Sequence, residues 1–428
     1  MVLEIDNLGV INHSIIDMNQ INIIGGVNSS GKSTSSKLLY SFLTGVSKKG
    51  SFLANRSINE RLLPMMMILR NSFDEGCENY LKLNSLINSF DTKSSRELFN
   101  DFLEIYKNSD ADTRENLSGD LNKIQKIIEI NESDEKYAYI MNVLLNSEFK
   151  LNNIDDSKIR FHGSIANNSF DYSLLCDNGK LNGRVNRGSL DSLVFDEVIY
   201  LDSLSILDSY KNISSFDYSN IPFHIQDLLK ELKSKGKLDV YGEEFSKNTK
   251  KLKEDLESLI NGKIEFDSAL DEFIYLSDDG RYSMTNTASG IKQMGILQLL
   301  LEKNIIKNNS FVFVDEPELN LHPEWQIKFA EFIVQLAKKS NIIFYINSHS
   351  PFFIEAIEVY SDFYDVLDRT SFYLSSKCDG SDLPLKNGFN IKKIDVEELD
   401  IVYKNLGDPF NVLNKTRFIT EMRKESLL

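Results

Sequence analysis

The sequence predicts an α/β fold. It would have a mainly parallel sheet flanked by helices, an added antiparallel β part, and a large, mostly helical insert. Three observations point there. Residues 21–24 (Ile-Asn-Ile-Ile) are mainly apolar, residues 26–33 follow the pattern G-x-x-x-x-G-K-[ST], and residues 34–43 have helical spacing, which gives strand, glycine loop and helix in succession. Residues 311–314 and 342–346 are short unbroken apolar runs, as strands buried on both faces require. Between these landmarks, residues 46–150 turn to Asn, Ser, Glu, Leu and Ile at helical spacing.

In chain order, residues 1–24 read as a short β-meander, with strands near 3–5 and 9–11 before the strand that enters the glycine loop. Residues 158–176 alternate, and Asp177-Asn178-Gly179-Lys180 is a tight hairpin signal. Residues 197–201 form another strand, and helices follow near 222–235 and 243–260. Residues 263–266 and 272–276 alternate as strands, with a turn at 278–280. A helix over 290–303 precedes the two apolar strands, and residues 361–428 read as a mixed tail with strands near 371–375 and 389–394. The expected division is a core of 1–45 and 262–360, a helical insert of 46–155, a mixed β/helical insert of 156–261, and a C-terminal extension of 361–428.

Composition narrows the class. The 428 residues are 41% hydrophobic and 11% aromatic, enough for a sizeable core. No apolar run approaches the roughly 18 residues of a membrane span, so no membrane partner is expected. Met1 to Asp6 lack a basic leader, and the three cysteines are scattered, which fits a reducing cytoplasm. A net charge of −16 argues against a surface built to coat nucleic acid. The densest basic stretch, residues 247–254, reads as one solvated face of a helix that also carries acids.

The glycine loop carries the first chemistry. Gly26 and Gly31 let the backbone turn its amides inward, and the helix beginning near Lys32 aims its positive end at an anion. The residues expected to cradle a triphosphate are Gly26, Val27, Asn28, Ser29, Ser30, Gly31, Lys32, Ser33 and Thr34. Lys32 reaches the β/γ oxygens as a point charge, and the Ser33 hydroxyl is a ligand for Mg²⁺. Asp315 and Glu316 end an apolar strand, at the edge where open α/β sheets bind ligands. Asp315 is the second candidate Mg²⁺ ligand, and Glu316 the candidate general base for an attacking water. Asn347, Ser348 and His349 end the next apolar strand, with His349 placed to contact the γ-phosphate or orient the water. Thr287 to Gln293 open the helix before the Asp-Glu strand; Ser289 as an N-cap would be a complete structural explanation.

Glycine loop, Ser-Gly helix start, Asp-Glu strand and strand-His, in this order, resemble the ABC-type ATPase superfamily. Ala288, Ser289, Gly290, Ile291, Lys292 and Gln293 resemble a divergent form of its signature segment. The run from Asp315 to Pro323 resembles the RecF, SMC and OLD-type branch. The resemblance implies ATP and Mg²⁺ as cofactors. It also implies that Ser289 and Gly290 cap the γ-phosphate of a second copy, and that Asn320 to His322 face that copy. Asn12 and His13 are where this branch often touches the base or ribose. His322 as an ordinary helix-start residue and Trp325 as core packing stay open beside these roles.

An SMC-type heptad coiled coil is not evident in residues 46–260. The 79 residues after His349 are few for an OLD-type nuclease domain. What remains resembles stand-alone OLD-like ATPases of bacterial antiphage systems, the Septu type included. The expectation is an ATP-gated homodimer or larger oligomer that regulates a separately encoded effector, a nuclease or toxin. The alternative is a repair or maintenance ATPase that clamps DNA, which keeps nucleic acid open as a partner. A nucleotide-responsive scaffold with negligible turnover is the third reading.

Overall fold

In the computed structural model, the side chains of the central strands divide by parity between two layers. The structure describes residues 1–89, 94–133, 135–149, 156–165, 168–177, 180–190, 193, 195–202, 221–236, 243–378, 388–404 and 406. Four strands set the pattern: β3 (Ile21–Gly26), β7 (Glu197–Leu201), β11 (Ser310–Asp315) and β12 (Ile343–Ser348). Ile21, Ile23, Ile199, Leu201, Val312, Val314, Phe344 and Ile346 enter one core; Ile24, Val198, Tyr200, Phe311, Phe313 and Tyr345 enter the other. The first core is closed by α7 (Phe223–Lys233), α8 (Glu243–Ile260), α9 (Ser289–Glu302), α10 (Pro323–Lys339) and α11 (Pro351–Phe363). The second is closed by α1 (Lys32–Val46) and α6 (Glu135–Phe149). Apolar residues on both faces are what this three-layer arrangement demands.

Among the described residues one sheet has eleven strands, ordered β6-β5-β4-β1-β2-β14-β13-β3-β12-β11-β7. The other members are β1 (Val2–Leu8), β2 (Ile11–Asp17), β4 (Lys158–Ile165), β5 (Asn168–Asp177), β6 (Lys180–Arg187), β13 (Thr370–Lys377) and β14 (Phe389–Ile394). The half from β13 to β7 is parallel throughout. From β6 to β2 it is antiparallel. The antiparallel strands therefore continue the main sheet, and the late strands β13 and β14 join the two halves. The opening meander is corrected: β1 and β2 form a hairpin turning at Gly9 and Val10, but β14 and β13 stand between β2 and β3. The alternating burial of β2 suits the antiparallel half, whereas the fully buried β3 suits the parallel half, which helices cover on both faces. A second, three-stranded sheet is ordered β10-β9-β8, from β8 (Gly262–Asp267), β9 (Glu272–Ser277) and β10 (Gly280–Ser283). The turn residues of the predicted 177–180 hairpin lie outside the described residues, but Asp177 pairs with Lys180 across it.

Helices α2 (Lys48–Asn71), α3 (Glu78–Asn88), α4 (Ser95–Tyr106) and α5 (Ala111–Asn131) pack around a core of their own. Leu62, Met66, Leu83, Leu98, Phe102 and Ile124 are at its centre. A capping box at Ser94 and Glu97 and an N-cap at Asp110 start α4 and α5.

Candidate functional site

Parallel register brings the strand ends to one edge. Asp315 pairs with Asn347, Ser348 with Gly25, Ser375 with Gly26, and Val314 with Leu201. The glycine loop after β3, the acids at the end of β11 and His349 after β12 therefore share that edge.

Within the loop, Gly31 has φ 91° and a Cβ there would lie 2.6 Å from Ile11 Cγ1, so only glycine fits. The start of β2 thus packs directly on the loop. Ser375 Oγ donates to the Ser30 carbonyl at 2.7 Å, fixing the loop from β13. Lys32 is 4% exposed, and its Nζ donates to the carbonyls of Gly26 at 2.7 Å and Val27 at 2.8 Å. Burial lowers its pKa, against the pull of Glu316, Asp315 and Glu318. Val27, Asn28 and Ser29 are exposed, while Ser33 and Thr34 are half-buried.

Asp315, 7% exposed, is held from three sides. Its Oδ1 accepts from Ser33 Oγ at 3.2 Å and Asn347 Nδ2 at 3.0 Å, and its Oδ2 accepts from the Tyr200 hydroxyl at 2.9 Å. Ser36 Oγ lies 2.8 Å from both the Tyr200 hydroxyl and Asn347 Nδ2. Sequence reading reached Ser33 and Asp315 but treated Tyr200 only as a strand residue. A tyrosine in an apolar strand needs a partner for its hydroxyl, which is the one available signal.

Glu316 follows with φ 51°, a left-handed backbone that non-glycine residues rarely adopt. Its amide donates to the Asn347 carbonyl at 3.0 Å. Burial and then Asp315 push its carboxyl above the ordinary value, with His349 opposing. His349 Nδ1 lies 3.9 Å from Glu316 Oε1 and 3.0 Å from Glu318 Oε1. Glu318, which sequence reading assigned no role, is buried. Its Oε1 accepts from Ser348 Oγ at 2.9 Å, His349 N at 2.6 Å and Ser350 N at 3.1 Å. It therefore clamps the segment that carries His349 to the loop after β11.

The N-cap expectation for Ser289 is corrected. Ala288 is the N-cap of α9 and makes no side-chain bond there, while Ser289 Oγ donates to the Asn320 carbonyl at 2.6 Å. Ser289 stands inside the first turn, where its hydroxyl points across to the segment after β11. Gln293 Nε2 donates to the Pro317 carbonyl at 2.6 Å, tying the same helix to the acidic loop. Ser289, Gln293, Asp202, Asp315 and Glu316 line one cavity of about 100 Å³. Gly290 is buried, and a Cβ on it would lie 3.0 Å from the Trp325 ring, so any larger residue would have to displace that ring by a few tenths of an ångström. Trp325 packs on the core, and His322 is the N-cap of α10.

Asn12 and His13 stand in β2, beyond the Ile11 contact with the loop. Asn12 Nδ2 donates to Cys378 Sγ at 3.2 Å. His13 Nδ1 pairs with Asp6 at 2.6 Å, and its amide donates to Asn390 Oδ1 at 3.1 Å.

The donor set fits magnesium and a polyphosphate. Ser33 and Asp315 put two hard oxygen donors 3.2 Å apart. Gly31, as the N-cap of α1, offers no side-chain acceptor to the first-turn amides, and Lys32 stands beside them. The Ser30 hydroxyl is buried without a hydrogen-bond partner among the described residues. Among those residues no group of three or more His, Cys, Asp and Glu could hold a metal, and no helix is long and apolar enough to cross a membrane.

A family model described as an AAA ATPase domain matches residues 1–354. Among solved structures, an SMC head domain from Thermotoga maritima is 11% identical with TM-score 0.39, covering 92% of this chain and 98% of that one. An SmcHead bound to the C-winged helix domain of ScpA is 11% identical with TM-score 0.45, covering 94% and 98%. A Pyrococcus furiosus Smc head bound to the C-terminal domain of ScpA is 9% identical with TM-score 0.39, covering 97% and 98%.

Proposed function

Because this chain belongs to the AAA ATPase domain family, we propose that it is a Mg²⁺-dependent ATPase whose nucleotide state governs its assembly and, through that, a partner effector in antiphage defence. The observation that carries the catalytic part is the Ser33–Asp315 pair, with Glu316 next along the chain and Lys32 buried beside them.

Lys32 and the amides of the loop bind the phosphates. Ser33 and Asp315 would hold the magnesium ion, which when bound neutralises phosphate charge. Glu316 takes the proton from the attacking water, and burial, which raises its pKa, makes it a stronger base than a solvent-exposed carboxylate. His349, 3.9 Å from Glu316, orients that water or contacts the γ-phosphate. Ser289 and the start of α9 complete the site of a second copy, which makes ATP a bridge between two chains. In this chain the Ser289 hydroxyl donates to the Asn320 carbonyl, which ties the two surfaces assigned to the partner to each other.

The effector reading is supported by the net charge of −16 and by a helical unit with its own core, α2 to α5. A phosphate-release assay with Mg²⁺ separates an ATPase from a nucleotide-responsive scaffold. A DNA-binding salt titration separates effector regulator from clamp. Negligible binding is expected, and a steep fall of affinity with salt would favour the clamp.

A further inference from the structure

We propose that Tyr200 is a positioning residue for Asp315, and that the end of α6 controls it through His224. This rests on the reading of Asp315 as a magnesium ligand. Two sets of contacts meet at Tyr200. On one side its hydroxyl donates to Asp315 Oδ2 at 2.9 Å, and Ser36 Oγ lies 2.8 Å from the same hydroxyl. That bond fixes the rotation of the carboxylate, since Ser33 and Asn347 both take the other oxygen.

On the other side, the Tyr200 ring lies 4.9 Å from the imidazole of His224, centroid to centroid. His224 opens α7 and is itself seized by α6. Glu148 Oε2 lies 2.5 Å from His224 Nδ1, Glu148 Oε1 accepts from the His224 amide at 3.1 Å, and Ser147 Oγ accepts from the Phe223 amide at 2.7 Å. The end of α6 thus caps the start of α7. Asp202, one residue beyond β7, takes His224 Nε2 at 3.1 Å. Lys37 of α1, the helix that follows the glycine loop, reaches Glu148 at 3.8 Å.

A buried charged cluster at a helix junction costs desolvation, and an apolar junction would avoid that cost. What this cluster adds is a fixed geometry between the last helix before β4 and the carboxylate 2.9 Å from Tyr200. A partner that shifts α6 moves His224 against the Tyr200 ring and changes how Asp315 is held. The same contacts let magnesium-bound nucleotide bias the position of α6, since coupling between two sites is reciprocal.

The test measures binding of a fluorescent ATP analogue with excess Mg²⁺ and with EDTA, alongside thermal unfolding. Tyr200→Phe keeps the ring and removes only the hydroxyl. It should raise the Mg²⁺ concentration for half-maximal binding about tenfold, the lower end of the roughly 10–100-fold cost of losing an outer partner of a metal ligand. Affinity in EDTA should stay unchanged. Glu148→Gln should shift the same Mg²⁺ midpoint, and the double variant should shift it by less than the two effects combined. If Tyr200→Phe does not fold, Glu148→Gln carries the test by the same midpoint. A normal Mg²⁺ midpoint in the folded variants, beside a Mg²⁺-dependent wild type, overturns the inference alone. A wild type that binds equally in Mg²⁺ and EDTA overturns the magnesium reading and this inference with it.

Discussion

Glu316 and Glu318 divide two tasks between neighbouring carboxylates. Glu316 holds a left-handed backbone at φ 51°, which costs about 1–3 kcal/mol and is sustained by its bond to Asn347. Glu318 satisfies two backbone amides and a hydroxyl at the start of α11. Glu318→Ala should therefore destabilise the protein by about 1–3 kcal/mol, because it strands buried donors. Urea unfolding checks this, and nucleotide binding should weaken with the loss of order at His349. The sequence displays Glu316 plainly, since Asp315 and Glu316 are adjacent and end an apolar strand. It does not display the work of Glu318, whose partners lie about thirty residues on and meet it only through the β11–β12 register. Tyr200 is hidden for the same reason, 115 positions from Asp315.

At the scale of elements, strand and helix types follow the apolar periodicity closely, because the parallel strands must be apolar on both faces and the helices on one. Pairing partners do not follow from it. Nothing local to residues 370–394 marks β13 and β14 as the join between the two halves of the sheet, and the β2–β3 neighbourhood fails for that reason. The α6–α7 junction is another product of folding, and His224 is a titratable group within it. Burial opposes the charged form of His224, but the bonds to Asp202 and Glu148 outweigh it and hold its pKa above 6.5. A raised folded-state pKa gives stability that is fully present below the unfolded value and is lost as pH rises through the folded value. The stability gap between wild type and His224→Gln should therefore be widest below about pH 6.5 and narrow at alkaline pH. Thermal melts across that range check it, and a gap that widens with pH would contradict the assignment.

For the molecule as a whole, the edge that gathers Gly26, Asp315 and His349 is half of the proposed assembly. With ATP and Mg²⁺, Glu316→Gln should sediment at twice its nucleotide-free mass or as a larger closed oligomer, and Ser289→Arg should abolish the change. An ATP-independent mass in a protein that is monomeric without nucleotide would remove the bridging role of Ser289. The proposed catalytic assignment is simpler: Lys32, Ser33, Asp315 and Glu316 form one centre that binds and hydrolyses ATP. Single-turnover hydrolysis by wild type and Glu316→Gln, with nucleotide affinity measured on the same samples, tests it most directly. Affinity should be retained while the rate falls about 10²–10⁴-fold; an unchanged rate with unchanged affinity would contradict it.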